Sequence, residues 1–313
     1  MVHIALDIMG GDNAPEQPIL GIIQYLSTAT TTVTIHAIGT QVAISNLQQT
    51  CSHHNLVCHH APDVIGMHEH PTKALKEKPN NSISVGFALL NAGTVHAFIS
   101  AGNTGAMLVS THFTIKTIPG VLRPAIAVVI PKLNGGSGLL TDVGLNADCK
   151  PEHLYQFAQL SNLFAQVMFE VQKPNIALLN IGEEEGKGNL LAQETYTNLK
   201  QDATLNFIGN VEGRDIFDPK ADVIVTDGFT GNVVLKMAEQ LYEIAQQQGI
   251  NNAFFNRCNY ASIGGSPILG ISKPVIIGHG ISNHTAFANM LTLAQRMATT
   301  KVMEVIAQRF VAK

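Results

Sequence analysis

Short apolar runs alternate with helical patterns along the chain, and this alternation constrains the fold more than any other feature of the sequence. Most of the runs are continuously apolar, as is typical of strands buried on both faces of a parallel sheet. The strands predicted in this way are residues 4–6, 32–38, 95–99, 125–130, 139–141, 175–179, 222–225 and 275–277. The pattern predicts a doubly wound α/β fold with a mostly parallel sheet, in a single domain over residues 1–313.

The sequence also predicts where several helices begin and end. Pro151 marks the start of a helix that runs toward Gln172, where Pro174 would end it. Ser82 is a candidate cap for a helix that ends at Gly93. A last helix is predicted from residue 284 to about residue 311.

Charge is scarce in this chain, because only 13% of its 313 residues are Asp, Glu, Lys or Arg. Soluble proteins usually have about 25%. No charged residue occurs between Glu16 and Asp63 or between Lys78 and Lys116, and the net charge is −4. This composition excludes a disordered chain and predicts no nucleic-acid partner. Binding of an anion would therefore depend largely on backbone amides.

The sequence also predicts the compartment. The first residues lack a basic region and reach Asp7 early, which is unlike a signal peptide. Four cysteines in 313 residues do not form a disulfide framework. These features favour the reducing cytoplasm.

A stretch from Cys51 to His70 contains six histidines and two cysteines. Their spacing matches no standard zinc pattern, so we predict no metal site and interpret the stretch as a polar surface segment. No G-x-G-x-x-G sequence is present, which argues against a nicotinamide cofactor.

Ligands of open α/β sheets bind at the carboxyl ends of the strands, so the loops that follow the strands are the candidate sites. After the first strand, Gly10 and Gly11 would let a ligand approach the backbone closely. The alternative is a simple strand-to-helix turn.

The strongest candidate phosphate site follows the strand at residues 95–99. Gly102, Asn103, Thr104 and Gly105 form a short polar loop that opens a helix. Exposed N–H groups at the start of a helix attract anions. A tight turn without a ligand is the alternative interpretation.

Three further loops carry polar candidates. Asn146 could orient a substrate or cap the next helix. Asn180, Glu183 and Lys187 belong to a loop in which four charges fall within five residues, which indicates either a site or a solvated surface. Asp227 and Asn232 open another helix.

His279 lies between two glycines directly after the last predicted strand. A histidine in this position is a candidate acid or base. A purely structural histidine is the alternative.

Several of these loops together resemble one known family. The segments are residues 7–15 (DIMGGDNAP), 100–106 (SAGNTGA), 178–185 (LLNIGEEE), 187–189 (KGN), 210–215 (NVEGRD) and 226–232 (TDGFTGN). They resemble the phosphate acyltransferase (PlsX) family, in the same order from the first strand to the last helix.

The resemblance implies that a fatty acyl group is transferred from acyl-carrier protein to inorganic phosphate, without a cofactor. The acyl phosphate would supply phospholipid synthesis through a membrane glycerol-3-phosphate acyltransferase. The resemblance also implies a fold like that of isocitrate and isopropylmalate dehydrogenases, and a homodimer in the cytoplasm, peripheral to the inner face of the cell membrane.

Phosphate itself can attack a thioester, so this chemistry needs no nucleophile from the enzyme. Asn103, Thr104 and Gly105 are then the predicted phosphate ligands, with Lys187 as the cation. Three further residues are predicted to orient the thioester and to assist the departing thiolate: Asp227, Asn232 and His279.

The chain departs from the family pattern in three places. Asn13 replaces a histidine, and Ser272-Lys273 replaces Asn-Gly. The region around residues 237–265 is shorter than in relatives, where it forms a helical hairpin linked to dimerisation and membrane contact. We therefore predict a shortened hairpin here.

Three alternatives remain open at this point. A phosphotransacetylase-like enzyme would take its acyl group from coenzyme A. A metal- and NAD-dependent dehydrogenase would need convergent acids, and the nearest cluster is Asp218, Asp222 and Asp227. A non-catalytic regulator would bind acyl-carrier protein without transferring the acyl group.

Overall fold

A computed structural model describes residues 1–29 and 33–311. The strands are β1 Val2–Asp7, β2 Val33–Gly39, β3 Leu56–His60, β4 Ala97–Ser100, β5 Ala125–Pro131, β6 Ser137–Thr141, β7 Asn175–Leu179, β8 Asn206–Val211, β9 Val223–Val225, β10 Gly265–Leu269 and β11 Val275–Gly278. Thr32, predicted to begin the second strand, lies outside the described residues.

The α-helices lie mostly between the strands. They are α1 Glu16–Thr28, α2 Gln41–Thr50, α3 Pro71–Glu77, α4 Ser82–Asn91, α5 Thr104–Thr114, α6 Pro151–Met168, α7 Leu190–Gln201, α8 Gly228–Gln247, α9 Ala253–Arg257, α10 Tyr260–Ile263, α11 His284–Thr300 and α12 Val302–Val311. No helix of the described residues is long and apolar enough to cross a lipid bilayer.

The chain divides into two compact units, each built from more than one segment. The first contains Met1–Lys116, Tyr260–Pro267 and Ile271–Lys301, and the second contains Thr117–Asn259, Ile268–Gly270 and Val302–Lys313. Strand β10 contributes residues to both units.

The first unit has a sheet in the order β3-β2-β1-β4-β11-β10, in which only β10 runs antiparallel to its neighbour. Helices α4 and α11 both pack on β1 and β4. Many side chains of the central strands are apolar and buried, and the largest include Ile4, Leu6, Ile35 and Phe98.

In the second unit β6, β9, β7 and β8 are parallel neighbours, and β5 pairs antiparallel with β6. Helix α6 packs on β6 and β9 and contributes Phe157 and Phe164 to the core. The predicted α/β fold with a mostly parallel sheet is therefore confirmed.

Three strands were not predicted, because none of them is a continuous apolar run. The stretch interpreted as a polar surface segment contains β3, an edge strand with His59 and His60. Strand β8 carries two asparagines and a glycine, and β10 contains Pro267.

Three helix ends also differ from the prediction. Helix α6, predicted to run toward Gln172, ends at Met168. Asn81, rather than Ser82, caps α4, because its Oδ1 accepts a hydrogen bond from the Ser84 N–H at 2.9 Å. The predicted last helix is two helices, because Lys301 has a left-handed backbone (φ 52°) between them.

The region predicted as a shortened hairpin contains the end of α8 followed by the short helices α9 and α10. Lys273, one of the departures from the family pattern, has a structural role. Its Nζ donates hydrogen bonds to the carbonyls of Leu90 and Asn91 at the end of α4, at 2.6 and 3.0 Å.

Histidines line up across neighbouring strands of the first unit. His3 Nδ1 lies 3.0 Å from His36 Nε2, and His36 Nδ1 lies 2.9 Å from His59 Nε2. Burial, with the neighbouring His59 and His3, lowers the pKa of His36 to about 4, and burial also lowers the pKa values of His3 and His59. The described residues contain no group of three or more His, Cys, Asp or Glu side chains placed to share a metal ion.

This histidine row predicts a pH dependence of stability. Between about pH 4 and pH 6.5 the unfolded chain binds a proton at residue 36 that the folded chain does not, so the free energy of unfolding rises with pH over this range. His36→Gln is expected to make that rise shallower in urea titrations at several pH values. His112→Gln, at an exposed position, is the control, and an unchanged slope in His36→Gln would contradict the prediction.

Candidate functional site

In the first unit, the predicted loops meet at the carboxyl ends of the parallel strands β1, β4 and β11. The Asp12 N–H donates a 2.8 Å hydrogen bond to the carbonyl of Gly280, so the loop after β1 contacts the loop after β11. Gly11 has φ +105°, a conformation that side chains rarely adopt. The predicted loops of this unit therefore lie together, and their role as a ligand site stays a prediction.

A buried carboxylate holds two of these loops. Asp7 is 1% exposed, and it accepts hydrogen bonds from Ser100 Oγ at 2.7 Å and from the Met9 N–H at 2.9 Å. Burial raises the pKa of Asp7, and hydrogen bonds from Ser100, Ser82 and two backbone amides oppose that rise. No role was predicted for Asp7, although an acid that ends an apolar strand before Gly10-Gly11 was the available signal.

Gly10 is required for the packing of these loops. A Cβ at Gly10 would lie 2.7 Å from the Gly102 nitrogen and 2.9 Å from the Asp7 carboxylate. A Cβ at Gly102 would lie 3.1 Å from Ser100 Oγ. Close approach of backbone to backbone is therefore enough to explain Gly10, and its contact with a ligand stays a prediction.

The side chain of Asn103 is fully engaged within the protein. Its Nδ2 lies 3.0–3.1 Å from the carbonyls of Gly66, Met67 and Glu69. Its Oδ1 accepts from the Ala106 N–H at 3.0 Å, which caps α5. Asn103 therefore positions the start of α5 and ties it to residues 66–69.

The start of α5 is accessible to an anion. Thr104 is exposed, and the N–H groups of Thr104 and Gly105 are the first two of the helix, which have no acceptor within it. Gly105 packs on α3, since a Cβ there would lie 2.3 Å from Pro71 Cγ. The backbone of residues 104 and 105 thus fits the predicted phosphate site better than the Asn103 side chain does.

His279 follows β11 and is half-buried. Its ring centroid lies 5.7 Å from that of Tyr260, and its Nδ1 lies 3.5 Å from the Ile281 nitrogen. A neutral imidazole that accepts at Nδ1 carries its proton on Nε2, from which it can donate.

In the second unit, the candidate loops follow the parallel strands β6, β9 and β7. Asp142 is fully buried and accepts hydrogen bonds from the N–H groups of Ile126 at 2.8 Å and Asn146 at 2.6 Å. Burial raises the pKa of Asp142. Asn146 Nδ2 donates to Asp142 Oδ2 at 3.0 Å and to the Pro124 carbonyl at 2.9 Å, so Asn146 is tied into the loop.

Asp227 caps the long helix α8. Its two oxygens accept from the N–H and the hydroxyl of Thr230, both at 2.8 Å. Gly231 in the first turn of α8 packs on the Asp142 loop, because a Cβ there would lie 1.9 Å from the Asp142 carbonyl. Asn232 is exposed in the same turn and lies beside Gly144.

The charged loop after β7 is held by its own contacts. Asn180 accepts from the Ile181 N–H at 2.8 Å and donates to the Lys187 carbonyl at 3.1 Å, which closes the loop. Glu183 pairs with Lys220 at 3.3 Å.

Lys187 has the longest ion pair of this loop. Its Nζ lies 4.0 Å from Glu184 Oε2, and 51% of its side chain is exposed. By comparison, Lys200 lies 2.6 Å from Glu185. Lys187 can therefore reach toward an anion at little cost, which is consistent with the predicted role of a cation.

Asn103 provides a test of this description of the site. Asn103→Ala is expected to lower the free energy of unfolding by about 1–3 kcal/mol, because it removes a helix cap and leaves three part-buried carbonyls without this donor. Urea unfolding measures the change. Asn103→Asp keeps the cap acceptor but cannot donate to the carbonyls, so it should also destabilise. Thr104→Ala is the matched control and should change stability by less than about 0.5 kcal/mol.

Comparisons with known proteins agree with this architecture. The family described as fatty acid synthesis protein matches residues 2–305. The phosphate acyltransferase of Dictyoglomus turgidum is 40% identical over 98% of this chain and 97% of its own length.

Two solved structures share the fold at low sequence identity. A phosphotransacetylase from Streptococcus pyogenes superposes with a TM-score of 0.66 at 17% identity, covering 95% of this chain and 94% of its own. A 4-hydroxythreonine-4-phosphate dehydrogenase from Burkholderia phymatum gives a TM-score of 0.50 at 13% identity, covering 97% and 98%. By its sequence match over nearly its full length, the chain belongs to the phosphate acyltransferase family.

Proposed function

We propose that this acyltransferase moves a fatty acyl group from acyl-carrier protein to inorganic phosphate and so forms an acyl phosphate. The observation that carries the proposal is the 40% identity to a phosphate acyltransferase over nearly the whole of both chains. The low charge of the chain and the accessible N–H groups at the start of α5 are consistent with an anionic substrate held by backbone amides.

In the proposed reaction, a phosphate oxygen attacks the thioester carbonyl carbon and forms a tetrahedral oxyanion. When the oxyanion collapses, the carbon–sulfur bond breaks and the carrier leaves as a thiolate, which takes up a proton. The enzyme contributes orientation and stabilisation of the oxyanion, and loss of one oxyanion donor typically costs about 3 kcal/mol.

Three of the four cysteines are poor candidates for an enzyme nucleophile. Burial raises the pKa values of Cys58, Cys149 and Cys258, and burial together with the Asp142 carboxylate raises that of Cys149 to about 11. A thiol with such a pKa is protonated at neutral pH and is a poor nucleophile. These three cysteines are therefore unsuited to form an acyl-enzyme.

The residue roles follow from position and chemistry. The backbone of Thr104 and Gly105 binds phosphate, with Asn103 as the residue that positions it and Lys187 as the cation. His279 in its imidazolium form gives a proton to the departing thiolate and is left as a neutral imidazole.

The other candidates shape the loops or orient the acyl donor. Asp227 and Asn232 orient the thioester at the start of α8. Substrate contacts are also proposed for Gly10, Gly11, Gly102, Asn146, Asn180 and Glu183.

We further propose the biological setting that the family resemblance implies. The acyl phosphate would be consumed by a membrane glycerol-3-phosphate acyltransferase in phospholipid synthesis. The enzyme would act as a homodimer in the cytoplasm, peripheral to the inner face of the cell membrane.

A phosphotransacetylase-like enzyme that uses acyl-coenzyme A is the second candidate function. It is favoured by the fold shared with the S. pyogenes phosphotransacetylase. Both donors present the same thioester, so the reacting groups alone do not discriminate between them.

The deciding experiment incubates the purified protein with phosphate and either acyl-carrier protein or acyl-coenzyme A. Hydroxylamine then traps any acyl phosphate as a hydroxamate. We expect product from the carrier-protein donor. Product from coenzyme A alone would favour the second candidate, and no product from either donor would favour a non-catalytic regulator that binds acyl-carrier protein.

Lys187 tests the phosphate assignment. Lys187→Ala is expected to raise the KM for phosphate about tenfold, corresponding to about 1.4 kcal/mol, and Lys187→Arg should recover part of the loss. Lys200→Ala removes another exposed cation of the same unit and should leave the KM unchanged. Wild-type phosphate kinetics in Lys187→Ala would exclude the cation role.

A further inference from the structure

The second unit contains a cavity of about 330 Å³ beside α7 and the start of α8. Most of its wall is apolar and includes Leu154, Leu178, Leu191 and Ala192. Ile181 at the surface is 81% exposed, whereas Leu154 and Leu178 are 3% and 1% exposed. The cavity is therefore open on the Ile181 side, and Leu154 and Leu178 close it where it meets the core.

Three of the polar side chains that line the cavity already hold hydrogen-bond partners within the protein. Both oxygens of Asp227 accept from Thr230, and Asn180 bonds to residues 181 and 187. Asn189 Oδ1 accepts from the Ala192 N–H and so caps α7. A polar occupant would find few partners among these groups, whereas an apolar occupant needs none.

We propose that this cavity binds the acyl chain of the thioester donor and that Leu191 and Ala192 set the chain length it accepts. The inference rests on the proposed function and assigns a substrate group to part of the same site. Asp227 and Thr230 lie in the cavity wall, which places the thioester at their end and the alkyl chain along Leu191 and Ala192.

The size of the cavity suits an alkyl chain. A small group in a liquid occupies about 30 Å³, so 330 Å³ holds on the order of ten methylene groups. Each methylene buried in an apolar site increases affinity about fourfold. A chain that fills the cavity is therefore bound much more tightly than a short one.

Acyl-carrier protein holds the acyl group through a flexible prosthetic group, here called the carrier arm. This arm could also occupy the cavity, because it too is a flexible chain. That arm carries two amide groups, which would lose their hydrogen bonds to water among the lining side chains. The acyl chain has no such groups and is favoured for this reason.

The test compares octanoyl and dodecanoyl esters of the same acyl-carrier protein as donors in the hydroxamate assay. Ala192→Phe fills part of the cavity and is expected to lower kcat/KM for the dodecanoyl donor about tenfold relative to the octanoyl donor. Leu191→Ala enlarges the cavity and should shift the preference several-fold in the opposite direction. Thr197→Phe, at an exposed position of α7 outside the cavity, is the matched control.

The outcomes separate this inference from the proposed function. If wild type forms no acyl phosphate from any donor, the proposed function fails. If wild type is active but Ala192→Phe and Leu191→Ala keep its chain-length preference, the acyl-chain assignment fails alone.

A further measurement distinguishes the acyl chain from the carrier arm as the occupant of the cavity. Inhibition by the unacylated carrier should be equal in wild type and Ala192→Phe when the cavity holds the acyl chain. Weaker inhibition, with an equal loss of kcat/KM for both donors, would assign the cavity to the arm. Thermal unfolding of each variant verifies that it is folded, and Leu191→Ala decides if Ala192→Phe does not fold.

Discussion

Each unit depends on one buried carboxylate that lies at the end of a strand. Asp7 ends β1 and Asp142 follows β6, and both are almost fully removed from solvent. Burial of a charge is costly unless hydrogen bonds compensate it. Both carboxylates accept backbone N–H groups from the loops that carry the candidate residues, Met9 for Asp7 and Asn146 for Asp142, so the loops are shaped by the need to satisfy these acids.

This constraint explains the glycines around the two acids. At Gly10 and Gly231 a side chain would collide with backbone atoms of a neighbouring loop, and at Gly228 it would collide with the Asp142 carboxylate. The glycine-rich motifs that support the family assignment therefore serve packing between loops. Contact with a ligand is a second role that these positions can have in addition.

The fold was largely predictable because it follows from buried apolar strands, whose composition is legible in the sequence. Strands β3, β8 and β10 were missed because histidines, asparagines or a proline interrupt that composition. The rule that ligands of α/β sheets bind at the carboxyl ends of strands identified the candidate loops. It could not show which side chains face a ligand, because that depends on contacts distant in sequence, such as Asn103 with residues 66–69.

Only some of the candidate side chains are free to contact a substrate, because the others hold the loops in place. Asn103, Asn146, Asn180 and Asp227 use their side-chain hydrogen bonds to hold loops. Substituting them would change the geometry of the loops, so a loss of activity alone would not identify a substrate contact. Thr104, Lys187 and Asn232 are exposed and act as reporters of contact, because their substitution leaves the loop anchors in place. A change in KM at these three positions, without a change in stability, is therefore the clearest sign of direct substrate binding.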